Sequence, residues 1–231
     1  MTKRKRSLIA AVAFVGASLL GGVASSPAHT AADCRAEKCV ALVFEGGPGP
    51  HTGALLDTLA DEGAPATFFV TGRVPAFRHP ELVRRMGEEG HEVGNGTWTR
   101  PRLTDVPAKE ARRQLAQTQR VLTQVTGHRP TLVRPPHGVS NAQVAAICRS
   151  LGLTQVLGGV PAAGHGARDD RAVVERALDG AAPGATVVLD DSNPAVVAAL
   201  PALVEGLRDR EYVLVTASRL PSGGAAARAG L

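Results

Sequence analysis

The residues of this 231-residue chain that could do chemistry are few, and most of them stand just after short apolar runs. Glu45 follows Cys39 to Phe44, Arg134 follows Thr131 to Val133, and Asp190 and Asp191 follow Ala185 to Leu189. Arg100 lies in the polar stretch that comes after His91 to Val93. Glu45 and Asp190 are the carboxyl pair that acid–base chemistry would use, one giving and one taking a proton. Together with Arg100 and Arg134 they also make two negative and two positive charges, a set able to neutralise itself without a metal. His51, His137 and His165 could build a metal site with Asp190, but they lie on separate stretches with no helical ligand spacing. Trp98 is either a platform for a sugar ring or a packing residue. The chain has three cysteines and no Cys-x-x-Cys. Cys34 and Cys39 could pair in an oxidising compartment, and Cys148, inside a helical pattern, reads as a small buried hydrophobe.

These residues are positioned by an alternation of short apolar strands and amphipathic helices. Strands are expected over Cys39–Phe44, Ala66–Val70, His91–Val93, Thr131–Val133, Thr154–Leu157, Ala185–Leu189 and Tyr212–Thr216. Helices are expected over Gly53–Asp61, Pro80–Glu89, Ala108–Val125, Asn141–Leu151, Ala172–Leu178 and Ala195–Arg208, and Pro161–Asp169 reads as a loop. Such alternation gives a parallel sheet with helices outside it. About seven units in one domain fit an incomplete (β/α) barrel, in which chemistry belongs where strands end. With aromatics at 3%, the core must be built mainly from Ala, Val and Leu.

The first six residues carry Lys3, Arg4, Lys5 and Arg6, and an apolar run from Leu8 to Leu20 ends among small residues. That is the pattern of a secretory signal peptide, and the run is shorter than the roughly 20 residues that span a bilayer. An uncleaved membrane anchor is the alternative, and no Leu-x-x-Cys precedes Cys34. The expected organisation is a signal peptide and linker over 1–33, a barrel over 34–221 and a disordered tail over 222–231. Four of the 26 Lys and Arg lie in the leader and all 21 acids lie beyond it, so the exported part is close to neutral. A nucleic-acid partner is therefore not expected.

At the strand ends the sequence resembles a known family. Val40-Ala-Leu-Val-Phe-Glu-Gly-Gly-Pro-Gly-Pro-His-Thr52 resembles the Thr-Phe-Asp-Asp-Gly-Pro motif of NodB-type polysaccharide deacetylases, carbohydrate esterase family 4. Gly90-His-Glu-Val-Gly-Asn-Gly-Thr-Trp-Thr-Arg100 resembles the second motif, Gly-His-Glu-x-Gly-Asn-His-Thr-x-x-His. Arg134-Pro-Pro-His-Gly138 resembles Arg-Pro-Pro-Tyr-Gly, and Leu189-Asp-Asp191 resembles Leu-His-Asp. The resemblance runs from about Cys39 to Leu220 and implies the incomplete barrel of that family. It also implies its reaction, removal of acetyl groups from chitin-like or peptidoglycan sugars with a divalent metal such as zinc held by one Asp and two His.

Carried over residue by residue, the resemblance puts the catalytic base at Glu45 and the acid at Asp190, with Arg134 retained. The three metal-ligand positions become Gly46, Gly96 and Arg100, and the Tyr of the third motif becomes His137. The fourth motif, Asp-x-x-Asp-Trp, has no acid or Trp in Pro161–Gly166. Two glycines carry no donor side chain, and an arginine repels a divalent cation. The chain therefore reads as a secreted homologue without the family's metal, a pseudoenzyme facing cell-wall or chitin-like glycan. The alternatives are an altered hydrolase using Glu45 and Asp190 and a protein-interaction scaffold. Arg100 is expected near the place of the metal charge, paired with Glu45 or Asp190.

Overall fold

The computed structural model describes residues 32–73, 78–163 and 166–221. Residues 1–31, where the signal peptide is expected, residues 222–231, where the disordered tail is expected, and His165 lie outside them. The strands are β1 (Lys38–Glu45), β2 (Ala66–Val70), β3 (Glu92–Asn95), β4 (Leu132–Val133), β5 (Thr154–Gln155), β6 (Val160–Ala163), β7 (Ala185–Asp190) and β8 (Tyr212–Leu214). The long helices between them are α1 (Thr52–Asp61), α2 (Pro80–Glu88), α3 (Ala108–Thr126), α4 (Ala142–Ser150), α5 (Asp170–Gly180) and α6 (Pro194–Asp209). Asn141, Asp169 and Asn193 cap α4, α5 and α6 with their side chains, and Gly127 ends α3 in the left-handed conformation.

Every described strand pairing is parallel, in the order β5-β4-β3-β2-β1-β7-β6, with β8 beside the start of β1. No pairing joins β5 to β6 among the described residues, so the barrel is incomplete. Alternation along the strands then decides what faces the interior. Leu42, Phe44, Phe68, Val187 and Leu189 pack outward with Leu55, Leu200 and Leu203 of the helices. Val43, Phe69, Leu132 and Val156 form a separate cluster on the opposite face. Because side chains alternate with period two, Glu45 shares the face of Val43 and Arg134 that of Leu132. Asp190 shares the parity of Val188, opposite to the outward Val187 and Leu189. The three charged residues are therefore delivered to the same end of the interior by the strands that carry them. Cys34 and Cys39 are joined in a disulfide, and Cys148 is free and buried.

One element departs from the sequence expectation. Pro161 to Asp169 was expected as a loop, yet Val160 to Ala163 form β6 and pair with β7. Pro161 lacks the N–H that a central strand would need. On an outermost strand one side needs no ladder bonds, so Pro161 is tolerated there. The remaining elements occur where expected, with ends shifted by a few residues.

Candidate functional site

Glu45 is the last residue of β1, Asp190 the last of β7, and Arg134 follows β4 directly. Arg134 Nε donates to Glu45 Oε1, and its Nη1 donates to the carbonyls of Val156 and Gly158 at 3.1 and 2.7 Å. Arg100 Nη2 donates to Glu45 Oε2 at 3.2 Å, the contact expected from the charge pattern. Both carboxylate oxygens of Glu45 thus face a guanidinium. The Arg134 side chain is only 8% exposed and that of Glu45 16%, against 35% for Arg100. Glu45–Arg134 is the enclosed half of the cluster, and Arg100 closes it from the solvent side.

Arg100 is held by its loop and not by a regular element. Asn95, at the end of β3, donates to the carbonyl of Leu115 and accepts from the Thr97 N–H, both at 2.9 Å. The Thr97 hydroxyl accepts the Arg100 N–H, and Gln114 of α3 bonds Thr99 through both its amide oxygen and its amide nitrogen. Thr97 and Arg100 have φ of 69° and 57°. Side chains with a β-carbon rarely adopt such angles, and the cost is of order 1–3 kcal/mol each. The surrounding bonds over-determine the loop and carry that strain. Sequence reasoning did not single out Asn95 or Gln114. A signal existed for Gln114, a polar residue on the apolar face of a helix.

Gly46, also left-handed at φ 91°, borders the space between Arg100 and Asp190. A β-carbon built there would lie 3.6 Å from Arg100 Nη1 and 3.8 Å from Asp190 Oδ1. A longer side chain at 46 would compete with the guanidinium for that space. Asp190 accepts from the backbone N–H and the hydroxyl of Ser192, at 2.9 and 2.6 Å. Its neighbour Asp191 is 1% exposed, accepts from the Thr52 hydroxyl, and gives its backbone N–H to the Glu45 carbonyl at 3.0 Å. Burial pushes the Asp191 carboxyl up to about 7, with the nearby Asp190 charge adding to the rise and the Thr52 hydrogen bond opposing it.

A divalent metal of the family's kind does not fit the residues at its ligand positions. Gly46 offers no side-chain oxygen, and Arg100 brings a cation. Gly96 leaves no room for an imidazole, because a β-carbon there would come 2.5 Å from the Phe69 carbonyl oxygen and 2.8 Å from that of Val70. The backbone of β3 has closed on β2, with the Gly96 N–H bonded to the Val70 carbonyl. Among the described residues no three His, Cys, Asp or Glu side chains gather into a group able to hold a metal ion. His137 is exposed on a left-handed turn of φ 62°, and His51 precedes α1 with no side-chain cap bond. Trp98 packs its ring edge over Gly72, beside Thr118. What the cluster can do is present Arg100 as a hydrogen-bond donor at the mouth, while Glu45 is engaged on both oxygens.

The strand-end motifs and this arrangement define a class. The profile of the polysaccharide deacetylase family matches residues 32–156, and the chain belongs to that family. It is 36% identical over 185 residues to the peptidoglycan-N-acetylmuramic acid deacetylase PdaC of Bacillus subtilis (strain 168), covering 80% of this chain and 39% of PdaC. The chain thus spans well under half of that relative's length. A chitooligosaccharide deacetylase of Sinorhizobium fredii (strain NBRC 101917 / NGR234) is 32% identical over 190 residues, covering 76% of this chain and 88% of the relative. Among solved structures, the T48 deacetylase with substrate superposes with a TM-score of 0.78 at 35% identity, covering 84% of this chain and 96% of that one.

Proposed function

We propose that this chain is an exported, catalytically silent member of the family that retains the cleft as a binding site for acetylated cell-wall glycan. The observation that carries the reading is the Glu45–Arg100 pair. A guanidinium has taken the place in the charge balance that a metal would hold, and Gly46 leaves the space for it. The base position is thereby tied to two cations, which disfavours proton abstraction. The acid position is a carboxyl that accepts from Ser192, where the family has a histidine. The donors left at the mouth suit recognition of an acetamido carbonyl more than its hydrolysis. The glycan class follows from the relatives, which are named for peptidoglycan and chitooligosaccharide. Export rests on the leader pattern of Lys3 to Leu20 and on the Cys34–Cys39 disulfide, which suits an oxidising compartment.

Calorimetric titration with zinc and then cobalt, alongside acetate release from N-acetylated chito-oligosaccharide and peptidoglycan, tests this directly. The expected result is no metal binding at high micromolar concentration and no acetate, with saturable binding of the oligosaccharide. Stoichiometric metal binding or released acetate overturns the silent reading, and failure to bind any glycan overturns the glycan reading.

A further inference from the structure

The charge of this molecule is unevenly placed. Between Ala111 and Arg168 the sequence has seven arginines and no Asp, Glu or Lys. Two of the elements built from that stretch are α3 and α4, which pack against each other. Lys109, Arg112, Arg113 and Arg120 lie exposed along one side of α3. With Ala116 and Gln117 they line a shallow groove of about 340 Å³. Arg112 Nη1 donates to Ser150 Oγ at the end of α4 at 2.7 Å, so the exposed Arg149 extends the same face.

A run of surface cations is often a solvated face balanced by nearby acids. Elsewhere on this molecule Lys38, Arg85, Arg102, Arg171 and Arg208 each pair with an Asp or Glu, while Arg35, Arg84 and Arg219 are exposed without an ion pair among the described residues. Within α3 the one acid is Glu110, and Arg113 takes both of its oxygens, at 2.7 Å each. Lys109, Arg120 and Arg149 have no ion pair or side-chain hydrogen bond among the described residues. The face therefore keeps an unneutralised positive charge that attracts anions at range.

Its dimensions and texture say which anion. Lys109 and Arg120 are eleven residues apart, about 16 Å along a helix, farther than one phosphate or carboxylate reaches. The ligand must be extended and carry repeated charges. Neither α3 nor α4 contains Phe, Tyr or Trp, so nothing there stacks on a nucleobase. No large apolar side chain projects from the groove, as a membrane-inserting face would require. We propose that the outer face of α3 is a docking surface for a linear phosphodiester polymer of the polyol-phosphate type, independent of the glycan cleft at the barrel mouth.

The test uses the full chain and labelled poly(glycerol phosphate), with binding followed by fluorescence anisotropy from 50 to 300 mM salt. A variant carrying Lys109→Gln, Arg112→Gln, Arg120→Gln and Arg149→Gln is expected to lose at least tenfold in affinity and to show a shallower dependence of log K on log salt. A control carrying Arg85→Gln, Arg102→Gln, Arg171→Gln and Arg208→Gln is expected to bind within about twofold of the parent. Thermal melting establishes that both variants are folded, and chito-oligosaccharide binding should be unchanged in the first, which separates this site from the cleft. Equal losses in both variants, or none in either, overturn the proposal. Tighter binding of single-stranded DNA of matched charge, or of phosphatidylglycerol vesicles, overturns the identification of the polymer.

Discussion

Glu45 ends β1 and Asp191 directly follows the neighbouring β7, and the two are joined through their backbones, yet the fold treats their carboxyl groups in opposite ways. Glu45 sits between Arg134 and Arg100, so its charge is matched on both oxygens. Asp191 has a hydroxyl on one oxygen and Gly47 against the other, and its carboxyl is pushed up to about 7 by burial. A charge in a closed environment needs a partner or it gives up ionisation. Of the two carboxyl groups, only that of Glu45 is given cationic partners. One residue pair away, burial instead raises the carboxyl to about 7.

The largest effect should come from breaking the Glu45 side. Arg134→Met removes the enclosed partner of Glu45 and the donor to the carbonyls of Val156 and Gly158. A loss of about 3–5 kcal/mol is expected in urea denaturation, because a half-buried carboxylate is left with one exposed partner. On the Asp191 side, Gly47→Ala places a β-carbon inside the space of the Asp191 carboxylate. It should cost about 2–3 kcal/mol. The double variant Gly47→Ala, Asp191→Ala should recover part of that loss; strictly additive losses would mean the two positions do not touch.

Asp191→Asn sharpens the comparison through pH. A carboxyl raised from its usual 3.8 to about 7 in the folded chain binds a proton that the unfolded chain has released. Stability therefore falls as pH rises between those values, and the cost is complete above the folded value. The Asn variant lacks this term and should gain on the order of 2 kcal/mol relative to the parent at pH 8, with the gain shrinking toward pH 4. A pH-independent difference in thermal melting would show that the Asp191 carboxyl is not the group responsible. The smallest effect belongs to Arg100→Gln. Its side chain is one third exposed, so the change in stability should stay under about 1 kcal/mol, while affinity for an acetylated chito-oligosaccharide should drop severalfold.

The alternation of apolar strands and amphipathic helices, and the motifs at the strand ends, made the barrel and its mouth legible before any coordinates. Both signals are local: period two along β1 and β7 and period 3.6 along α3 need only neighbouring residues. The edge strand at Val160–Ala163 was hidden because Pro161 and the small residues around it carry no strand signal; only its place at the outside of the sheet allows them. The types of residue at the positions that the resemblance gives to metal ligands, Gly46, Gly96 and Arg100, were likewise plain from sequence. That Glu45 is shared by two guanidiniums was not, since it depends on strands 89 residues apart and on a strained loop pinned by Asn95 and Gln114. The resemblance separated Asp190, at the acid position, from Asp191, but two adjacent residues of one type give no local physical reason for the difference. Strand parity turns one to the mouth and the other into the wall, and burial then sets their different chemistry. Sequence chose the residues; the packing of distant strands decided which charges meet and which carboxyl is closed into the wall.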